Sequence, residues 1–251
     1  MVESPFTMSK PTIHLIISLL ILLTGRGSSE EQSQPLSLVS LTEWKVPGTW
    51  AIAGNLVGST QEKKWKSIEP GEGVLYNGSE GKAGNLESRK EHGDVEIEAE
   101  FMVPKGSNSG IYLMGRYEVQ ILDSYGKADA VLTYGDCGGI YERWDESKPE
   151  KEKGYEGTAP ATNASSAPGA WQTFLIRFRA PRFDGEGRKI ANARFIRVEH
   201  NGVVIHEDVE VTGPTRGGID GPEKALGPIS VQGDHGPVAF KKLEVRPAKF
   251  E

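Results

Sequence analysis

The chain has 251 residues, 37% hydrophobic and 25% charged, which is polar for a globular protein but far from the composition of a disordered one. A net charge of −6 and the lack of a basic cluster interleaved with aromatics argue against a nucleic-acid partner gripped through its phosphates. The single cysteine, Cys137, excludes an internal disulfide framework and a zinc cluster, and reads as a small buried residue beside Gly138 and Gly139.

In chain order, the first feature is an apolar run from Ile13 to Leu23, preceded by Lys10 and followed by the small and polar residues Thr24 to Ser29. The run suits the core of a signal peptide and is short for a membrane span, which takes about 20 residues. Residues 1–28 are therefore expected to be a leader. The mature chain would have no stable membrane insertion and would be exported, to the periplasm or the outside. An uncleaved anchor is the alternative, and no cysteine follows the run to carry a lipid. From residue 36 to 251 there is no second hydrophobic transition and no long linker, so this stretch reads as one domain. A helix finds room only near residues 30–45.

The clearest strand is predicted over Asp94–Val103. Val95, Ile97, Ala99, Phe101 and Val103 alternate with Glu96, Glu98, Glu100 and Met102, the period of a strand with one buried face. Gly110–Met114 and Tyr117–Leu122 read as the next two strands, joined tightly through Gly115. Arg143–Gly157 is nearly all charged or turn-forming and reads as a solvated loop. Its functional alternative is a lid in which Trp144 or Tyr155 touches ligand. Thr173–Ala180 alternates again. Phe195–Glu199 and Val203–His206 flank Asn201-Gly202, the strongest short hairpin signal. Ile229–Gln232 and Val238–Val245 close the chain. Short strands, 31 glycines, 15 prolines and almost no helical periodicity predict an all-β fold, a two-sheet antiparallel jelly-roll sandwich.

Three segments carry polar groups that could do chemistry. On a strand, Arg116, Glu118 and Gln120 share one face, opposite Tyr117, Val119 and Ile121, and Asp123 lies just past the strand end. The bland reading is a solvated face with an Arg–Glu pair. In Gly227–Phe240, the residues Gln232, Asp234 and His235 are bracketed by glycines and Pro237, which lets backbone and ligand approach closely. His235 could equally be a loop histidine bonded to backbone. In Gly106–Leu113, Asn108 and Ser109 suit sugar hydroxyls or their own turn. Trp171 could stack on a sugar ring or belong to the core. No G-x-S-x-G elbow, P-loop or H-E-x-x-H occurs, and the sequons at Asn77 and Asn163 are too short to decide anything.

The strings GSNSGIYLMGRYEVQILDSYG (106–126), CGGIY (137–141), APATNASSAPGAWQTFLIRFRAPRFD (159–184), HNGV (200–203) and GPISVQGDHGPVAFKKLEV (227–245) resemble the 3-keto-disaccharide hydrolase domain family, in that order along the chain. The resemblance covers roughly residues 40–247. It implies a concanavalin-like jelly roll related in architecture to laminarinase-type enzymes, bacterial export, and cleavage of oligosaccharides or glycosides already oxidised at C3. Tyr141, which ends the second string, joins Arg116, Gln120, Asn108, Trp171 and Gln232 as an expected substrate contact. Two departures stand out: Arg143–Gly157 looks like an insertion, and Lys241-Lys242 stand where the pattern has Arg-Asn.

Retaining glycosidases of the related fold place two carboxylates on one strand face. Here Glu118 is followed on its face by Gln120 and Leu122, so the second acid is missing. A 3-keto sugar needs less. Its ketone acidifies the C2 proton, and a base can remove that proton and expel the C1 substituent. Glu118 or His235 could be the base, with Asp123 close by. Arg116, or a divalent metal ion held by Glu118, Asp123 and His235, could stabilise the enolate. No cofactor is certain from the residues. Two rival readings remain: a non-catalytic, lectin-like module using Trp171, Asn108 and Gln120, and a structural envelope protein.

Overall fold

A computed structural model describes residues 1–2 and 41–250. The chain divides into two units, Met1–Gln32 and Ser33–Glu251, and the fold below is that of the second. The leader expected at 1–28 lies outside the described residues apart from its first two. Of the helix considered near 30–45, the described part is a single 3-10 turn, Leu41–Glu43.

Strand β1 is Trp44–Lys45, β2 Ala51–Gly58, β3 Trp65–Tyr76 and β4 Leu86–His92. Next come β5 (Val95–Met102), β6 (Asn108–Leu113), β7 (Tyr117–Leu122) and the short β8 (Arg143–Trp144) and β9 (Gly154–Tyr155). The rest are β10 (Gln172–Arg179), β11 (Arg182–Phe183), β12 (Lys189–Ala191), β13 (Ala193–His200), β14 (Val203–Val211), β15 (Gly227–Val231) and β16 (Ala239–Pro247). One sheet has five strands in the order β1-β4-β15-β6-β7, and the other has seven in the order β14-β13-β10-β5-β16-β3-β2. Neighbours in both sheets run antiparallel. Strands distant in sequence lie side by side, β15 between β4 and β6, and β5 between β10 and β16. That crossing pattern makes the sandwich a jelly roll.

The alternation read in β5 is the reason the sheets stack. Val95, Ile97, Ala99 and Phe101 enter the core, while Glu96, Glu98 and Glu100 stay half-buried on the outer face. There Glu96 accepts from Arg177 at 2.7 Å and Glu98 pairs with Lys242. From the other sheet, β7 sends Tyr117, Val119 and Ile121 into the same core. Tyr117 meets Phe178 of β10 at 5.3 Å between ring centroids, which ties the two layers together. Burying Val95, Ile97 and Phe101 contributes roughly 5–9 kcal/mol before chain entropy is counted.

Both tight hairpins take the primed turn that matches strand twist. Met114 (φ 56°) and Gly115 (φ 66°) join β6 to β7, and Asn201 (φ 50°) and Gly202 (φ 77°) join β13 to β14. The segment 143–157 is solvated as expected, with none of its residues buried, but it is not loop throughout. It folds into a small hairpin, with Arg143 opposite Tyr155 and Trp144 opposite Gly154. Its cohesion is lateral rather than apolar: Lys153 bridges Glu146 and Glu150 at 2.9 and 2.8 Å, and Lys148 sits 3.8 Å from the Tyr155 ring centre. The hairpin is not visible in the composition because such contacts between charges and rings leave no periodic trace.

Candidate active site

The five-stranded sheet turns one face to the core and the other to a cleft of about 270 Å³. Strand pleat decides which residues reach it. On β7, the odd positions fill the core, so Glu118 and Gln120 point the opposite way. On β6, Asn108, Gly110 and Tyr112 share that direction, with Tyr112 opposite Glu118 and Gly110 opposite Gln120. Gln232, just past β15, donates its backbone N–H to the Gly110 carbonyl at 3.0 Å and brings its side chain to the same cleft.

Glu118 is the chemical centre of this face. Its residue is only 2% exposed. Burial pushes its carboxyl up to about 8, against the opposing pull of a hydrogen bond from the Tyr112 hydroxyl. Tyr112 in turn is driven well above the ordinary phenol range, by burial first and by the Glu118 charge second, so it stays a neutral donor. The carboxyl occupies space that only a glycine leaves open: a Cβ on Gly110 would lie 2.0 Å from Glu118 Oε1. Around it, Asn108 Oδ1, Gln120 Oε1 and Gln232 Oε1 are buried with no hydrogen-bond partner among the described residues. Buried acceptors left in this state cost about 1–3 kcal/mol each. A ligand rich in hydroxyl donors would repair all three.

His235 lies on the rim of the cleft, its Nδ1 2.5 Å from Asp234 Oδ1. Its loop is pinned from below by Asn77, which is 0% exposed. Asn77 Nδ2 donates to the carbonyls of Gly233 (2.9 Å) and Gly236 (2.7 Å), and its Oδ1 accepts from Val238 N–H at 2.9 Å. The sequon at this position therefore serves the fold with a fully engaged side chain.

The far wall comes from the segment between β14 and β15. Thr215 donates its N–H and hydroxyl to the Arg116 carbonyl at 2.8 and 3.0 Å, and accepts from Glu118 N–H at 3.1 Å. Next to it, Arg216 and Gly217 line the cleft together with Tyr141. The Arg216 N–H donates to the Glu142 carbonyl at 2.7 Å, and its guanidinium lies 3.7 Å from the Trp144 ring centre.

The structure thus brings together Glu118, Gln120, Asn108, Tyr141, Gln232 and His235. It keeps three expected residues away. Arg116 precedes the strand and turns aside, donating to the carbonyls of Met114 (3.2 Å) and Pro222 (3.1 Å) and tying the hairpin turn to the following loop. Asp123 faces the opposite end of its strand, accepting from Gly106 N–H at 2.9 Å and pairing with Lys105 at 2.9 Å. Trp171 packs against the smaller apolar cluster of Ala53, Leu56 and Trp65, with Lys241 over its ring at 4.2 Å. With Asp123 elsewhere, the expected metal ligands Glu118, Asp123 and His235 do not converge, and among the described residues no group of three or more His, Cys, Asp or Glu side chains is placed to hold an ion. Tyr112, Arg216 and Gly217 line the cleft although nothing in the sequence singled them out. Tyr112 was accessible through the pleat, two residues on from Gly110, whereas Arg216 sits in an irregular segment with no period to betray it.

Comparison with known proteins agrees with this picture. The family model described as a 3-keto-alpha-glucoside-1,2-lyase-like domain matches residues 39–246. A candidate glycosyl hydrolase from Parabacteroides distasonis superposes with a TM-score of 0.58 and 25% identity, over 86% of this chain and 84% of its own. A second one from that organism gives 0.46 and 14%, over 84% and 90%. The carbohydrate-binding module CBM66 from Bacillus subtilis gives 0.41 and 11%, over 82% and 96%. No curated protein matches the sequence. The family match and the first of these structures support a carbohydrate-active protein. With a polar cleft of this make-up on a jelly-roll sandwich, and a family match running through nearly all of the sandwich, the chain belongs to the 3-keto-alpha-glucoside-1,2-lyase-like domain family.

Proposed function

We propose that the protein cleaves glycosides oxidised to a ketone at C3, by eliminating the C1 substituent across the C1–C2 bond, with water adding afterwards. The observation that carries this reading is Glu118: one buried carboxyl, held up to about 8, in a cleft walled by hydroxyl acceptors and one guanidinium. Among the described residues lining the cleft it is the single carboxylate. A two-carboxylate glycosidase mechanism lacks its second member here, whereas elimination needs one strong base.

In this reading Glu118 takes the C2 proton. The C2–H electron pair moves into a C2–C3 double bond and the ketone oxygen becomes an enolate, which the Arg216 guanidinium stabilises. When the enolate collapses, the C1–C2 double bond forms and the C1–O bond breaks. The leaving oxygen takes a proton from His235, which Asp234 holds in place. Asn108, Gln120 and Gln232 accept from the sugar hydroxyls and set the ring over the carboxylate. Burial raises the proton affinity of the carboxylate, so once ionised it is a stronger base than an exposed one. The same reading carries the leader at residues 1–28 as an export signal, so that substrate is met outside the cytoplasm.

The test is turnover of a 3-keto glucoside followed by product analysis. Wild type should release the aglycone, and Glu118→Gln should lower kcat by about 100- to 10,000-fold, the usual worth of a positioned base. Affinity without any released aglycone would make the protein a carbohydrate-binding module instead. A wild-type rate in Glu118→Gln would remove that residue from the reaction.

A further inference from the structure

We propose that Trp144, in the hairpin that interrupts the family pattern, is a positioning residue that seats the Arg216 guanidinium in the cleft. The inference deepens the elimination reading, in which Arg216 receives the enolate charge, and rests on it.

Arg216 has a fixed backbone and a loosely held head. Its own N–H and both Thr215 donors are committed, so the main chain cannot swing. Its side chain is 48% exposed and reaches the Glu142 carboxylate only at 3.9 Å, a distance too long for a firm hydrogen bond. A long side chain in that condition samples many rotamers. What restricts it is the indole of Trp144, 3.7 Å from the guanidinium carbon and stacked as a cation on a ring face. The indole is itself fixed. Its Nε1 donates to Glu146 at 2.7 Å, and its backbone pairs with Gly154 across the hairpin. Glycine at 154 leaves the Glu142 carboxylate its place, since a Cβ there would lie 1.9 Å from it. The Tyr134 hydroxyl is hydrogen-bonded to that same carboxylate. The ring and the anchored carboxylate together make a holder for one guanidinium. Trp144 does not line the cleft, so it acts through Arg216 and not on the sugar.

The experiment is a double-mutant cycle on turnover of a 3-keto glucoside, paired with side-chain NMR of the Arg216 Nε–H group, whose signal is identified by its loss in Arg216→Lys. Trp144→Ala should lower kcat/KM by about 3- to 30-fold, the fold-change equivalent of one cation–ring stack, mostly in kcat because the charge develops in the transition state. Trp144→Phe should recover most of the loss, since a ring is restored. In an Arg216→Ala background Trp144→Ala should cost nothing further. By NMR the Arg216 head should be ordered in wild type and drop to an order parameter below about 0.6 in Trp144→Ala. Equal cost of Trp144→Ala in both backgrounds, or an Arg216 head that stays ordered without the ring, would overturn the proposal. If wild type turns over no 3-keto glucoside, the elimination reading falls, and the NMR arm still decides whether Trp144 holds Arg216.

Discussion

Replacing Glu118 by glutamine should make the protein more stable as pH rises, while removing its proposed activity. The folded protein holds the Glu118 proton up to about pH 8, against an ordinary glutamate value of 4.5. An unfolded chain releases that proton near the ordinary value. Between the two values the folded state carries the extra proton, so stability is full below the lower value and falls as pH rises through the window. At about 1.4 kcal/mol per pH unit, the whole window is worth about 5 kcal/mol. Glutamine has the carboxylic acid's shape and no proton to lose. Urea unfolding of both proteins at pH 5 and pH 9 isolates the effect, because the buried histidines, lowered by burial at His92, His200 and His206, contribute equally to both and cancel in the difference. Wild type minus variant should fall by about 4 kcal/mol across that range. A difference that stays flat to within about 1 kcal/mol would show that burial does not hold the Glu118 proton, and the argument for a strong base would go with it.

Other consequences are as direct. If ionised Glu118 is the base and C2 proton removal, which precedes the His235 proton transfer, limits the rate, kcat/KM should climb about tenfold per pH unit and level off near pH 8; a rate already level at pH 6 would assign the proton to another group. Gly110→Ala places a methyl 2.0 Å from Glu118 Oε1, so activity should drop about 100-fold through a displaced carboxylate, and urea unfolding should show the overpacking as a loss of about 1–3 kcal/mol; unchanged turnover would contradict the packing. Asn77→Asp removes both donors to Gly233 and Gly236 and sets a carboxylate oxygen against their carbonyls. Urea unfolding should show a loss of about 3 kcal/mol or more, and a loss under about 1 kcal/mol would mean that the loop holds itself.

The fold was legible wherever one face of a strand had to be dry. Val95 to Phe101 spelled out β5, and the odd positions of β7 announced their direction, because a period of two has a single physical cause there. The same logic reached Glu118 and Gln120 by elimination: if Tyr117, Val119 and Ile121 enter the core, their neighbours face away. It failed at Arg116 and Asp123, which sit just beyond the ends of the strand, where pleat no longer dictates direction and local donors win. Lys105 and the Gly106 N–H claim Asp123, and the carbonyls of Met114 and Pro222 claim Arg116. Trp171 was ambiguous in sequence because an indole suits a sugar and a core equally; it packs half-buried against the smaller apolar cluster, away from the cleft lining. Arg216 was illegible because its place depends on contacts with Glu142 and Trp144, some seventy residues earlier.

The cleft also differs from the rest of the sandwich in where unfavourable terms are kept. Some polar residues buried elsewhere are paired, as where Asp136 takes Lys127, Thr133 and Ser124, and the unpartnered atoms there, such as Trp44 Nε1, His92 Nε2 and Ser165 Oγ, belong to separate elements. Around Glu118, a carboxyl is held far from its ordinary proton affinity, three amide oxygens are without partners, and a side chain is missing at Gly110 to make room. A sheet under selection for stability alone would gain by filling that hollow with apolar residues, since each unpaired acceptor costs about 1–3 kcal/mol. Three open acceptors and a raised carboxyl meeting in one cleft mark a surface organised for binding and not for stability. In the proposed reading, the acceptors, one base and one cation suit a polyol that gains negative charge as it reacts.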